Sequence, residues 1–507
     1  MNASASTEKS RTWIIGAALL ALFLGALDAL VMSAAMPTII AELGGLHLYA
    51  WTYTAYFLAR AVSLPVFGKL SDLYSTKGLF LFSIGLFLIA SIAAGLSPSM
   101  GFLVAARVFQ GIGSGGIFAL VYVVLSDVSK PEDRAKTLSF ASSIWGIASL
   151  IGPTLGGFIV TWFSWRWIFY INIPLGIASL IGIGLFFQEL REKPAKAQLD
   201  WGGATLLSGF ILGLLTLIMI GGRELPWSSL PIILLTFATF FMGIGFYIVE
   251  KQAKDPILDF KFFKYRAFAL GNMLVFCASF SIFALFAYAP LFLQGALSQT
   301  PLQVGYAMLS LSLGWSLGSL LAGRRMHQIG LKRATFIGVL LMVVGTGLTL
   351  FFSRTTTMLE CFLAFQIVGL GMGFMTLATL LIVQNSVEPK DLGVVTSFHQ
   401  FTRTMGGTIG VGLCGGIVTT RLIKQLETAG SQLPEPLIAR LQESMANLFQ
   451  VEFQALIPDG MEILLQDAVL NSVSLAFIIV FIVSLVSLGF VPFLPGKFMV
   501  TKPPLKS

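Results

Sequence analysis

Charge is scarce in this sequence. Asp, Glu, Lys and Arg make up 11% of its 507 residues, where a soluble domain carries about 25%. With 56% hydrophobic residues and a mean hydropathy of +0.86, the chain cannot cover a water-facing surface. That excludes a soluble enzyme or a soluble nucleic-acid-binding domain. Cysteine is nearly absent as well. Cys277, Cys361 and Cys414 are odd in number, far apart and all in apolar runs, which excludes a disulfide framework. No His, Cys and carboxylate residues cluster at metal-ligand spacing, so no metal is expected. No G-x-x-x-x-G-K-[ST] phosphate loop occurs, and ATP hydrolysis within this chain is not expected.

What the chain does have is long apolar runs. A membrane-spanning helix needs about 20 mostly apolar residues. Roughly fourteen such runs follow one another, among them 13–35, 166–188, 201–220, 231–249, 395–418 and 471–494. They are too long for the roughly 10-residue strands of a membrane barrel. The expected fold class is an all-α polytopic membrane protein. The first run lacks a small-residue cleavage site and reads as a retained helix rather than a signal peptide.

Basic residues set the orientation. With the N-terminus inside, only Arg166, Arg223, Arg354, Arg421, Lys424 and Arg440 fall outside. Arg60, Arg107 and Arg403 stay within the membrane, and the other basic residues all lie in cytoplasmic segments. This bias accounts for the net charge of +8 without a nucleic-acid partner. It predicts a multi-pass protein of the cell (inner or plasma) membrane with both termini cytoplasmic. Residues 419–470 form one long acidic outer segment. Leu437, Ile438, Leu441, Met445 and Leu448 fall there at helical spacing, which predicts short helices lying on the outer face. They would serve as a structural cap or as a docking surface for a periplasmic or surface partner.

The chain also repeats itself. A shift of 258 brings Gly111 onto Gly369, Gly113 onto Gly371, Asp133 onto Asp391, Ser139-Phe140 onto Ser397-Phe398 and Gly152 onto Gly410. A shift of 255 brings Gly68 onto Gly323 and Lys77 onto Lys332. Two parallel-related six-helix halves follow, at 1–190 and 263–507. Between them, 191–262 holds an inserted helix pair without a counterpart. Halves that rock about a midplane site are the alternating-access design.

Several motifs then agree in order and spacing. Leu27-Asp28-Ala29-Leu30-Val31-Met32-Ser33-Ala34-Ala35-Met36-Pro37 opens the series in helix 1. Gly68-Lys69-Leu70-Ser71-Asp72 follows helix 2, with Lys77 shortly after. Helix 4 carries Arg107-Val108-Phe109-Gln110-Gly111-Ile112-Gly113, and helix 5 carries Gly146, Gly152-Pro153 and Gly156-Gly157. Helix 6 opens Trp165-Arg166-Trp167-Ile168-Phe169-Tyr170-Ile171-Asn172-Ile173-Pro174. Over nearly its whole length the chain resembles the major facilitator superfamily, in its fourteen-helix drug:proton antiporter branch. It departs from the family loop at Leu73, Ser75 and Thr76, where Arg, Gly and Arg are usual. The run Gly111 to Gly116 has the spacing of a dinucleotide turn, but it lies mid-membrane in an all-helical pattern, which excludes that role.

Asp28 is the only carboxylate clearly inside an apolar run. A charge there costs at least ~2.5–3.5 kcal/mol on insertion scales, so such residues are rarely idle. Asp28 is therefore the expected proton-coupling residue, with a structural tie to a buried Arg as the alternative. The resemblance implies that Arg107 serves coupling through hydrogen bonds to helix 1. It implies that the helix-5 glycines pack at the interface of the halves in exporters. It also implies that Gly68, Asp72 and Lys77 belong to a latch on the outward-facing state. Arg60 lies on one turn with Tyr56, about 10 Å deeper than Asp28, and either pairs with Asp28 or meets an anionic substrate. His399 and Arg403, at i and i+4, form another polar spot.

By the same resemblance a central cavity holds the substrate. Candidate contacts are Arg60, Tyr56, Gln110, Trp145, Asn272, Phe283, Phe286, Tyr288, Gln294, Gln366, His399 and Arg403, with Phe398 and Gln384 beside them. The leading expectation is a proton-coupled exporter of amphipathic or lipophilic small molecules that uses no cofactor beyond the coupling proton. A dedicated exporter of an anionic lipid or siderophore-like metabolite is the alternative. A non-transporting membrane scaffold built on 419–470 is the third reading.

Overall fold

A computed structural model describes residues 2–43, 48–130, 133–189, 200–221, 225–253, 256–428 and 462–495. The regular structure of the described residues is helical, with no strand among them. In chain order the helices are α1 (Asn2–Leu43), α2 (Tyr49–Leu73), α3 (Thr76–Gly95), α4 (Met100–Val128), α5 (Arg134–Trp162), α6 (Trp167–Tyr170), α7 (Asn172–Phe186) and α8 (Trp201–Ile220). Then come α9 (Leu230–Gln252), α10 (Arg266–Gly295), α11 (Pro301–Ile329), α12 (Leu331–Leu348), α13 (Met358–Gln384), α14 (Leu392–Thr428) and α15 (Glu462–Phe490). Among the described residues, eleven spans are long and apolar enough to cross a membrane. α2, α5 and α14 are not among them. α2 and α14 carry Thr52, Thr54, Arg60 and Ser63, and Thr396, Ser397, His399, Gln400 and Arg403, all buried. A helix that faces other helices rather than lipid has no need to be apolar throughout.

Local chemistry sets the helix ends. Ser75 Oγ accepts from Gly78 N at 3.1 Å and Ser99 Oγ from Phe102 N at 3.3 Å, capping α3 and α4. Thr300 with Gln303, and Thr357 with Glu360, close capping boxes at α11 and α13. Gly330, at φ +78°, turns α11 directly into α12, a conformation that disfavours any side chain.

The glycine-rich run of α4 is a packing surface. A Cβ on Gly111 would press on the Tyr56 carbonyl of α2, and one on Gly113 would lie 2.7 Å from Phe87 N of α3. The repeat reproduces this arrangement. Gly369 and Gly371 of α13 press on Leu311 of α11 and on Gly338 of α12. α1 to α5 and α7 thus form one bundle and α10 to α15 the other. The bundles meet where α5 packs on α11 and α2 on α14, while α8 packs on α9, α2 and α14.

The contacts between bundles obey the repeat. Gly68 abuts Ser397 and the Gly393 carbonyl, while Gly323 abuts Ser139 and the Ala135 carbonyl. The second set is the first carried through the same shifts. Ser126 and Gln384, 258 residues apart, hydrogen-bond to each other, with Gln384 Nε2 donating at 3.0 Å. Two equivalent positions in contact must lie on the pseudo-two-fold axis.

Helix ends correct several expected boundaries. α14 runs on to Thr428 and α15 begins at Glu462, so both ends of the expected outer segment 419–470 are helical. The remainder, with its amphipathic stretch at 437–448, lies outside the described residues. α9 extends to Gln252 and buries Glu250, 3% exposed. Asp28 is therefore not the only carboxylate buried in a long apolar helix.

Candidate functional site

Asp28 lies at the centre of a buried hydrogen-bond network. Arg107 Nη1 donates to its Oδ2 at 2.6 Å, and the two side chains are 0% and 2% exposed. Gln110 Nε2 and Asn172 Nδ2 donate to Oδ1 at 2.8 and 2.9 Å. Gln110 Oε1 accepts from Arg107 Nη1 at 2.7 Å, and Gln110 Nε2 also reaches Ser91 Oγ at 2.9 Å. Arg107 Nε donates to the Thr52 carbonyl at 3.3 Å, and its guanidinium carbon lies 4.2 Å from the Tyr56 ring centroid. Five helices supply this set: α1, α2, α3, α4 and α7. Arg107 and Gln110 share a face because they stand at i and i+3.

Asn172 opens α7 just after the break that separates it from α6. The preceding residues hold that segment in place. Trp165 Nε1 and Arg166 Nη1 donate to Glu42 Oε2 and Oε1 at 2.7 and 2.6 Å. The Arg166 and Trp165 bonds hold the Glu42 carboxyl below its ordinary range. The Trp165-Arg166 pair thus ties the end of α1 to the turn that delivers Asn172 to Asp28.

Arg60 does not pair with Asp28. Its guanidinium carbon sits 3.6 Å from the Phe118 ring centroid and 5.6 Å from that of Trp145. Tyr56, one turn away, hydrogen-bonds Ser114 at 2.8 Å. In the other bundle, His399 Nε2 lies 3.0 Å from Thr379 Oγ1, and Arg403 is buried on the same helix face.

The remaining expected substrate contacts divide. Gln110 turns its amide to Asp28, so it belongs to the carboxylate network rather than to an open wall. Tyr288 spends its hydroxyl on the Val411 carbonyl at 2.7 Å. Asn272 Nδ2 donates to Phe268 O one turn back at 2.9 Å, in the first turns of α10. Phe398 stacks on Phe268 at 5.6 Å, in an aromatic wall with Phe263 and Phe401. Gln384 is taken by Ser126 and Thr396. Phe283 meets Phe286 and Trp315 at 6.3 and 6.2 Å. Gln294 and Gln366 are half-buried on α10 and α13.

Asp72 spans the two bundles. Its Oδ1 and Oδ2 accept from Gly393 N and Val394 N, each at 2.8 Å, at the start of α14, where free N–H groups and the helix dipole favour an anion. The backbone N–H of Lys77 donates to Glu189 at 3.3 Å. Gly146 abuts Ser316 of α11, across the bundles, and Gly152 abuts Leu30 of α1 at 2.7 Å. Gly157 has nothing within 4 Å, so it makes no close packing contact. Gly156 is buried, and the side chain of Pro153 lies outside the described residues.

Sequence reading missed Asn172 as a partner of Asp28, and Ser91 as the hydroxyl that takes up the Gln110 and Asn172 amides beside it. One signal was available: an amide inside an otherwise apolar run must find a partner.

Two helical bundles related by an internal repeat, with a carboxylate ion pair sealed inside one of them, define a polytopic membrane transporter. The chain belongs to the Major Facilitator Superfamily, whose model matches residues 18–411, and within it to the multidrug-efflux type. It is 30% identical over 487 residues to Multidrug resistance protein 3 of Bacillus subtilis, covering 95% of this chain and 94% of that one. It is 33% identical over 463 residues to the multidrug transporter protein MdtP of the same organism, covering 91% and 84%. Among solved structures, the human organic anion transporter MFSD10 superposes with a TM-score of 0.60 at 15% identity, covering 94% of this chain and 99% of that one. A bacterial homologue of the human lysosomal transporter Spinster gives 0.55 at 14%, covering 96% and 97%. These two likenesses concern the fold. The protein is a small-molecule transporter and not an enzyme.

Proposed function

We propose that the protein exports amphipathic small molecules from the cytoplasm by alternating access, driven by protons that Asp28 carries. The observation behind this is the sealed Asp28–Arg107 pair. In this reading the protein resides in the cell membrane with both termini cytoplasmic. The Asp72 end faces the cytoplasm, and the described form is the one closed to it. Protonation of Asp28 removes the charge that Arg107 faces. Loss of one partner from a buried pair costs about 3–5 kcal/mol. That is close to the roughly 5.5 kcal/mol needed to turn a two-state equilibrium from 1:99 to 99:1. One proton is thus an adequate lever on the bundles. Arg107 keeps Gln110 and the Thr52 carbonyl as partners through the change, so the cation is not stranded. Substrate arriving from the cytoplasm would favour proton release, which completes the exchange.

The test is uphill transport in proteoliposomes under an imposed pH gradient. Asp28→Asn retains size and the Arg107 contact but cannot ionise. It should abolish gradient-driven accumulation while still binding apolar substrate. Accumulation equal to that of the parent would leave Asp28 as a structural tie to Arg107.

A further inference from the structure

Two buried guanidiniums lack the carboxylate that a buried cation normally has. Arg60 and Arg403 are each 5% exposed, and neither forms an ion pair among the described residues. The buried carboxylates among those residues are Asp28 and Glu250. Asp28 is committed to Arg107, Gln110 and Asn172. Glu250 accepts from Leu258 N at 2.5 Å, beside the inserted helices. The polar side chains around Arg60 are the Tyr56 phenol, its one hydrogen-bonding neighbour there, the Tyr122 phenol and a second cation, Arg403. Arg403 acts in turn on His399. One cation comes from α2 and the other from α14, and these helices pack together across the bundles.

The surroundings are short of acceptors too. Arg60 Nε, Tyr122 Oη, Trp145 Nε1, His399 Nδ1 and both amide atoms of Gln400 are buried without a hydrogen-bond partner among the described residues. Gln400 is 1% exposed and stands three residues from Arg403, on its face of α14. Tyr122 lies one turn beyond Phe118, whose ring covers one face of the Arg60 guanidinium. Buried polar atoms are rarely left unpaired, and most of these are donors. A planar guanidinium edge matches the oxygens of a carboxylate or phosphate.

We propose that the substrate is an amphipath with an oxyanion head group, carboxylate or phosphate, bound between Arg60 and Arg403, with its apolar body against Phe118 and Trp145. This rests on the transport reading above and names its substrate class. One shared anion offsets both buried charges and takes up the unused donors. It also ties one bundle to the other, because each supplies half of the site.

The test is calorimetric binding to the full chain in phosphatidylcholine nanodiscs, with three probes sharing one ring: 2-naphthylacetate, its primary amide and 2-(2-naphthyl)ethylamine. The carboxylate should bind at least about tenfold tighter than the other two. Arg60→Gln and Arg403→Gln should each cost it about tenfold and leave the amide within about twofold. Arg60→Lys and Arg403→Lys should keep part of the preference, which decides the matter if a Gln variant fails to fold. Equal binding of carboxylate and amide by the parent overturns the proposal. So does a uniform loss for all three probes in the variants. Phosphatidylglycerol added to the nanodiscs separates the sources: displacement of naphthylacetate in the parent but not in Arg60→Gln points to a lipid head group, and no displacement points to a soluble anion. Arg-dependent binding without uphill transport of naphthylacetate would sink the exporter reading and leave the site standing.

Discussion

Each buried charge in this molecule is either engaged by neighbours or conspicuously left over. Asp28 accepts three side-chain hydrogen bonds, and Asn172, like Gln110, is a partner with no charge of its own. A hydrogen bond to a charged group is worth about 1.5–3 kcal/mol. Asn172→Ala should therefore weaken gradient-driven transport by roughly tenfold or more while the purified protein keeps its monodispersity. Unchanged uphill transport would mean that Arg107 and Gln110 hold Asp28 without it. Glu42 behaves differently because it and Arg166 reach the surface, although Trp165 is buried. Its carboxyl is held below the ordinary range by Arg166 and Trp165. The clamp it forms is complete above the ordinary carboxyl pKa of about 4.3. It is lost only as pH falls below that, through the depressed value. Tryptophan fluorescence of Trp165, followed from pH 7 to pH 3, should stay constant until the acid end of the range. A change between pH 7 and pH 5 would contradict the pairing.

Charges within long helices were legible from residue type alone, and their partners were not. Asp28 and Arg107 stand out against apolar neighbours. Asn172, Ser91 and Thr52 are neutral residues of a kind that many helices carry, and only the approach of α7, α3 and α2 to α1 and α4 gives them a purpose. Gln110 shows the converse. Its place on α4 was foreseeable, but the direction of its amide follows from which helix lies opposite.

At the scale of elements, the inserted pair holds an arrangement that hydropathy could not reveal. A Cβ on Gly203 would lie 2.5 Å from Glu250 Oε2 and 2.6 Å from Asp200 Oδ2, so these two carboxylate oxygens lie beside the same point of α8. Both are buried without a partner among the described residues. In Glu250→Gln the retained oxygen can still accept from Leu258 N, while the new amide can donate to Asp200. The substitution should stabilise the protein by about 1 kcal/mol, seen as a higher Tm. A lower Tm would mean that the carboxylate pair contributes stability as it stands. Gly146 makes the opposite case. With Ser316 directly against it, Gly146→Leu should force α5 from α11 and block transport without abolishing membrane insertion. Wild-type transport by that variant would show that the two helices are free to separate there.

At the scale of the whole molecule, Asp72 joins the bundles through two charge-assisted bonds to the start of α14. Asp72→Asn keeps the shape but loses the charge, and its amide nitrogen cannot accept. The closed form should lose about 1.5–3 kcal/mol, and a cysteine placed at Ser397, which faces Gly68, should react faster with a thiol reagent. An unchanged rate would show that packing of Gly68 and Gly323 alone closes this end. The orientation reading predicts that a cysteine at position 431 is labelled by an impermeant reagent from outside intact cells. Labelling only after permeabilisation would invert the topology.

The sequence by itself determined the solvent, the helical class and the twofold plan. Those follow from summed composition, run length and internal repetition, which need no knowledge of neighbours. It marked Asp28, Arg60, Arg107 and Arg403 as well, because charge in an apolar run is conspicuous wherever the run ends up. Only the tertiary structure decided that Arg107 rather than Arg60 answers Asp28, that Ser126 and Gln384 meet on the axis, and that Phe398 stacks on Phe268 while Tyr288 reaches the Val411 carbonyl. It also carried α14 beyond its apolar stretch and buried Glu250 against Asp200. The physical reason is that hydrogen bonds and ion pairs act over about 3 Å. Helices distant in sequence must be brought face to face before a donor can select its acceptor.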